Sequence, residues 1–182
     1  MNFTSTLLPG ILIIEPQVFE DSRGFFMETY QLEELEKAGI HLKFVQDNHS
    51  RSIQGTLRGL HYQINHSQGK LVRVILGEIF DVVVDLRKSS PYFGKWFGFG
   101  LSAQNKKQLW IPPGFAHGFY TLSNWAEVLY KVTDYFSPEN ERSILWNDPE
   151  IGIIWPEQVK EKLIISTKDL QGTPMSAAEV FL

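Results

Sequence analysis

Ile79-Phe80-Asp81-Val82-Val83-Val84-Asp85-Leu86-Arg87 is the stretch on which the architecture turns. Phe80, Val82, Val84 and Leu86 alternate with Asp81, Val83, Asp85 and Arg87. A period of two with one wholly apolar side reads as a half-buried strand. Upstream, 71–76 reads as a second strand, joined to the first by a hairpin turn at Gly77-Glu78, because glycine accepts positive φ. Working outward, strands are expected at 11–14, 44–46, 57–63, 96–101, 108–111, 115–122 and 127–134. Ser89-Ser90-Pro91, Ser102-Ala103-Gln104-Asn105 and Pro112-Pro113-Gly114 supply turns between them. Helix is scarce. The best candidate is 28–38, where Leu32 and Leu35 lie three apart, the first turns are acidic and Gly39 provides a stop.

Many short antiparallel strands in 182 residues fit a mainly β fold, a double-sheet jelly roll with a few short helices. The length suits a single domain over 1–182, with an N-terminal strand arm and a C-terminal segment of short helices and turns after Pro149. The chain has no cysteine, which removes disulfides, thiolate zinc sites and cysteine nucleophiles. A net charge of −4 argues against a nucleic-acid polymer or a polybasic membrane contact. No run approaches the roughly 18 apolar residues of a membrane helix, and Met1-Asn2-Phe3-Thr4-Ser5-Thr6 does not resemble a signal peptide. A soluble, cytoplasmic protein is expected.

Polar residues cluster in four segments within otherwise apolar strands: 21–28, 46–50, 57–63 and 112–119. Buried polar groups cost free energy unless paired, so these segments call for a reason. His61, taken alone, reads as a structural histidine with satisfied hydrogen bonds; Arg58 shares its strand and Lys70 follows in a glycine-containing loop. Strict alternation puts Arg58 and His61 on opposite faces, so a shared pocket requires a bulge at Gly59 or Arg58 at the strand's mouth. His117 is either tucked between Phe115 and Phe119 or held at a pocket mouth. Tyr130, alternating with Val128 and Val132, is a core tyrosine or an acid in an apolar pocket. Asp169 is a capping residue by default, or the orienting partner of His61. A metal is not expected: the His-x-His such jelly rolls use is replaced by His61-Tyr62-Gln63, and Lys70 sits near where a carboxylate ligand would be wanted. Neither GxxxxGK[ST] nor GxGxxG is present.

Asp21-Ser22-Arg23-Gly24-Phe25-Phe26-Met27-Glu28, Phe44-Val45-Gln46-Asp47-Asn48-His49-Ser50, Leu57-Arg58-Gly59-Leu60-His61-Tyr62-Gln63, Gln68-Gly69-Lys70-Leu71-Val72-Arg73, 80–87 and 111–119 together resemble the dTDP-4-dehydrorhamnose 3,5-epimerase family, from about residue 12 to about residue 170. The resemblance implies a metal-free cupin-type jelly roll (a double-stranded β-helix), no cofactor, and a homodimer. It implies dTDP-4-dehydro-6-deoxy-D-glucose as substrate and dTDP-4-dehydro-L-rhamnose as product. By motif, it makes His61 the proton acceptor, Asp169 its orienting partner, Tyr130 the proton donor and Lys70 the cation facing the C4 oxygen. It assigns the nucleotide and sugar to Arg23, Glu28, Gln46, Asn48, Arg58, His117, Glu141 and Lys168, with Phe136 stacked on the thymine. Asp81 is the rival partner for His61.

The residue types suit that chemistry. Inverting a carbon beside a ketone needs a base, an acid on the opposite face and a cation for the enolate oxygen. Arginines suit a diphosphate. Beside double epimerisation stand epimerisation of one carbon, ketoisomerisation of a dTDP-4-keto sugar, a non-catalytic sugar-nucleotide-binding cupin, and a metal-dependent oxygenase, which the missing His-x-His argues against. For the dimer, the apolar stretch Leu7-Leu8 and 11–14 would be costly to expose and is able to cross onto a partner's sheet.

Overall fold

Strands Lys70–Leu76 and Glu78–Asp85 are separated by Gly77 alone, yet they do not pair: in the computed structural model, which describes residues 1–182, they lie in different sheets. The expected hairpin is therefore corrected to a corner. Gly77 has φ +74°, and a Cβ there would sit 1.9 Å from the Trp125 carbonyl oxygen, so only glycine lets the chain pass between sheets at this point.

In chain order the early strands are β1 (Asn2–Ser5), β2 (Leu12–Glu15), β3 (Val18–Asp21), β4 (Gly24–Met27), β5 (Gln46–Ile53), β6 (Thr56–Gln63) and β7 (Lys70–Leu76). They are followed by β8 (Glu78–Asp85), β9 (Trp96–Ser102), β10 (Gln108–Ile111), β11 (Phe115–Thr121), β12 (Trp125–Val132), β13 (Glu141–Ser143) and β14 (Ile164–Ile165). Helices are short: α1 (Leu32–Lys37), α2 (Gln158–Glu161) and α3 (Thr167–Leu170). One sheet runs β1-β2-β10-β7-β12-β5; the other runs β13-β6-β11-β8-β9, with β14 beside β6. This is the mainly β jelly roll that the strand pattern calls for, with β3 and β4 forming a separate hairpin.

Both faces of β8 are buried, which revises the half-buried reading. Ile79 and Val83 join Val72, Leu109, Phe115 and Val128 in the core between the sheets, and Asp81 alternates with them toward that interior. The wholly apolar side, Val82, Val84 and Leu86, faces away and is covered by Ile144, Ile151 and Met175 of the C-terminal segment. Each such side chain contributes about 1.5–3 kcal/mol by burial. Asp81, fully enclosed on the inner side, therefore needs a partner.

Two smaller differences have physical causes. β5 spans eight residues rather than the short 44–46 strand, since it pairs with β12 along its whole length although its residues are nearly all polar. α1 is shorter than 28–38: Gln31 caps it by accepting from the Glu34 N–H, and only Leu35 is buried. Within the chain, β2 lies between β1 and β10, Leu8, Ile11 and Ile14 are buried, and β1 forms the edge of its sheet.

Candidate active site

The site begins with a fault in the β6–β11 ladder. The register slips between His117 and Phe119, opposite Gly59, which is the bulge required for Arg58 and His61 to leave strict alternation. A Cβ on Gly59 would lie 2.6 Å from Gly118 Cα, so the two strands approach only because both residues are glycine. The Gly59 N–H donates to Asp169 Oδ2 (3.3 Å). Asp169 is held from the other side by α3, whose N-cap Ser166 accepts its backbone N–H (3.1 Å). Its Oδ1 lies 2.6 Å from His61 Nε2. Burial alone would push the Asp169 carboxyl up, but the His61 hydrogen bond and charge, with Gly59 and Ser166, hold it below the usual carboxylate range.

His61 opens onto a cavity of about 300 Å³. With Nε2 engaged by Asp169, Nδ1 is the ring nitrogen left to take a proton. Lys70, at the start of β7, lines the same cavity and donates to the His61 carbonyl oxygen (3.3 Å). Burial pulls its pKa down to about 8, with Asp81 and Glu141 working against the shift. Tyr130 on β12 also lines the cavity; burial pushes its phenol up, Arg58 opposes this and Glu141 adds to it.

Gln46 and Asn48, inward residues of β5, form the next part of the wall. Gln46 donates to Asn48 Oδ1 (2.8 Å) and accepts the Phe136 N–H (3.2 Å), which sets the half-exposed Phe136 ring at the cavity. Glu141 of β13 lines it too and forms an ion pair with Lys168 of α3. Seven of the residues singled out from sequence thus share one cavity, and Asp169 and Lys168 join through His61 and Glu141.

The other four neither line it nor pair with His61 or Glu141. Arg58 reaches from β6 to Ser52 Oγ on β5 (2.9 Å). His117 is buried, and its Nε2 meets both carboxylate oxygens of Asp81 at 3.0 and 2.8 Å. Asp81 is therefore the partner of His117, not of His61. Arg23 stands on the exposed β3–β4 hairpin paired with Asp21, and Glu28 follows that hairpin. Conversely, Tyr62, Gln63 and Gln68 line the cavity without having been singled out. Gln63 donates to the His66 and Tyr135 carbonyls (2.7 and 3.2 Å) and accepts the Ser137 N–H (2.8 Å), tying two rim loops together. Its signal was available: it lies two residues beyond His61, on the same face of β6. Gln68 holds the Asp134 carbonyl from a loop where periodicity carries no information.

An imidazole with one free nitrogen, a buried ammonium and an unpartnered phenol around one cavity can move a proton on and off carbon beside a carbonyl. The family model described as dTDP-4-dehydrorhamnose 3,5-epimerase matches residues 5–177. The chain is 56% identical over 182 residues to the dTDP-4-dehydrorhamnose 3,5-epimerase of Pseudomonas aeruginosa, covering 100% of this chain and 99% of that one. It is 54% identical over 184 residues to the Shigella flexneri enzyme of the same name, covering 100% of both chains. Among solved structures, a dTDP-6-deoxy-D-glucose-3,5-epimerase from Legionella pneumophila, in complex with dTDP-4-keto-L-rhamnose, superposes with a TM-score of 0.95 at 50% identity, over 98% of this chain and 94% of that one.

Proposed function

The chain belongs to the dTDP-4-dehydrorhamnose 3,5-epimerase family, and from that premise we propose how its own residues carry out the reaction. The protein is an epimerase of dTDP-rhamnose biosynthesis, converting dTDP-4-dehydro-6-deoxy-D-glucose to dTDP-4-dehydro-L-rhamnose by inverting C3 and C5. His61 Nδ1 removes the proton from a carbon next to the C4 ketone. The C–H electrons form a C=C bond and the carbonyl electrons move to oxygen, where the Lys70 ammonium stabilises the enolate. Tyr130 then donates its hydroxyl proton to the opposite face of the same carbon, and the enolate collapses to the ketone. The imidazolium, meanwhile stabilised by Asp169, returns its proton to water, and the phenolate recovers one. Both target carbons flank the same carbonyl, so one set of groups serves both.

The observation that supports this reading is that His61, Lys70 and Tyr130 line one cavity while Asp169 braces His61 at 2.6 Å. Asn48, Arg58, Glu141 and Lys168 hold the sugar nucleotide, and Phe136 on its Gln46-anchored loop stacks on the base. His117 serves the site from behind rather than by touching substrate. The chain acts as one domain and works in the cytoplasm. No helix is long and apolar enough to cross a membrane. Turnover in D2O tests the assignment: deuterium and inversion at both C3 and C5 in the product NMR spectrum are expected. Label at one carbon would make it a mono-epimerase, a 3-keto product a ketoisomerase, and tight binding without exchange a binding module.

The protein also works as a homodimer. The β3–β4 hairpin exposes Phe19, Phe25 and Phe26 at 54%, 58% and 66%, an aromatic patch suited to burial against a second copy. Arg73, half-buried on the outer side of β7, is pulled down by burial and has no carboxylate in ion-pair range. Seating the hairpin on a partner would carry Arg23 and Glu28 to that partner's cavity, which their own chain does not do. Light scattering on Phe26→Asp should give a monomer with a raised KM; an unaltered dimer would remove the hairpin from the interface.

A further inference from the structure

We propose that Asp81 and His117 form a positioning pair that keeps Lys70 an ammonium: Asp81 supplies the negative charge inside the barrel, and His117 holds that carboxylate in place. The inference deepens the mechanism above and rests on its reading of Lys70 as the cation facing the enolate oxygen.

Asp81 is completely buried on the inward side of β8, between Ile79 and Val83. A carboxylate in such surroundings is costly unless matched. Its hydrogen bonds come from His117 Nε2 alone, and no lysine or arginine stands within ion-pair range of it. Lys70 is its mirror image. It too is buried, its hydrogen bond goes to a carbonyl, and no carboxylate lies within ion-pair range. Between the sheets, Asp81 and Lys70 are thus a buried carboxylate with no lysine or arginine in contact and a buried ammonium with no carboxylate in contact.

The other charged or titratable groups toward Lys70 are committed elsewhere. From β6, His61 is engaged by Asp169 and Arg58 by Ser52; from β13, Glu141 is paired with Lys168. From β12 comes only the Tyr130 phenol, and β5 turns Gln46, Asn48, Ser50 and Ser52 inward, none of them charged. On β8 and β11 there remain Asp81 and His117. Asp81 is also the foremost charge sustaining Lys70 against burial, ahead of Glu141. The choice of histidine as holder has a physical sense. A guanidinium would fix the carboxylate but cancel its charge, whereas an imidazole can hold it through a hydrogen bond without a permanent positive charge.

The test follows Lys70 directly, by the 13Cε shift of labelled lysine against pH in the full-length wild type and in Asp81→Asn, which keeps the shape and can still bond His117. Expected is a Lys70 titration lower by about one pH unit or more in the variant, with the basic limb of kcat/KM moved acid-ward by the same amount. A purely structural role would lower activity equally at every pH. An unmoved Lys70 titration in the folded variant overturns the proposal. Should Asp81→Asn fail to fold, the wild type decides: the Asp81 carboxyl carbon should register a step as Lys70 loses its proton, and no step there overturns it equally. Lys70→Met separates this from the parent reading. If deuterium wash-in at C3 and C5 survives that change, the oxyanion role of Lys70 fails, whatever the titration of Lys70 shows.

Discussion

His61–Asp169 and His117–Asp81 are the same two side-chain types paired twice, on neighbouring strands and directly across from one another in the β6–β11 register. They differ in access. The His61 side chain is 30% exposed and borders the cavity, whereas that of His117 is 9% exposed and borders Asp81. They differ also in how the carboxylate is delivered. Asp169 comes from a capped turn of helix 108 residues away in sequence and takes a second hydrogen bond from the bulged Gly59 N–H. Asp81 belongs to the central strand and depends on its histidine alone. A histidine–carboxylate pair is thus not a role. The open pair can exchange a proton with a ligand, while the closed one can only fix charge and geometry.

The comparison breaks or holds under substitution. His61→Asn should lower kcat by roughly 10³-fold with little change in KM, because the base acts in the transition state; a proportional rise in KM would instead mark His61 as a binding residue. Asp169→Asn should cost less, roughly 10²-fold in kcat, since it removes the group that orients and stabilises the imidazolium but leaves the base in place. Steady-state kinetics checks both. The pH profile follows next: the ammonium of Lys70, at about 8, is required for turnover, so kcat/KM should fall with rising pH above that point. A profile flat to pH 10 would detach the basic limb from Lys70. The closed pair should give the smallest effect on chemistry and the clearest on stability. His117→Leu leaves Asp81 buried and unpartnered, which costs roughly 3 kcal/mol, read as a lower Tm in thermal melts, with the deuterium label still reaching both carbons in the folded fraction.

Much of this was legible in residues close together in sequence. The alternation of 79–87 locates β8, and the clusters around Gln46, His61 and Lys70 gather at one cavity because each lies on a strand whose inward positions are set by period two. What was not legible has specific causes. Which side of β8 faces the barrel depends on Ile144, Ile151 and Met175, which cover its apolar face from a segment remote in sequence. The corner at Gly77 and a hairpin turn use the same residue, so its neighbours cannot distinguish them. β5 was understated because its inward polar residues wall a cavity rather than a core. Arg23 and Glu28 lie in a motif as specific as any other, yet nothing in a single chain brings them to the cavity. The motif favours Asp169 for His61 with Asp81 as its rival, and it is the bulge at Gly59 and the cap at Ser166, neither readable from spacing, that aim Asp169.

Hydrogen exchange at the two ring carbons, run on His61→Asn beside His117→Asn, speaks most directly to the division of labour between the pairs. Incubated with dTDP-4-dehydro-6-deoxy-D-glucose in D2O, His61→Asn should take up no label at C3 or C5 over many wild-type turnovers, while His117→Asn continues to label both. Label persisting in His61→Asn, or lost only in His117→Asn, would mean that the open imidazole is not the base.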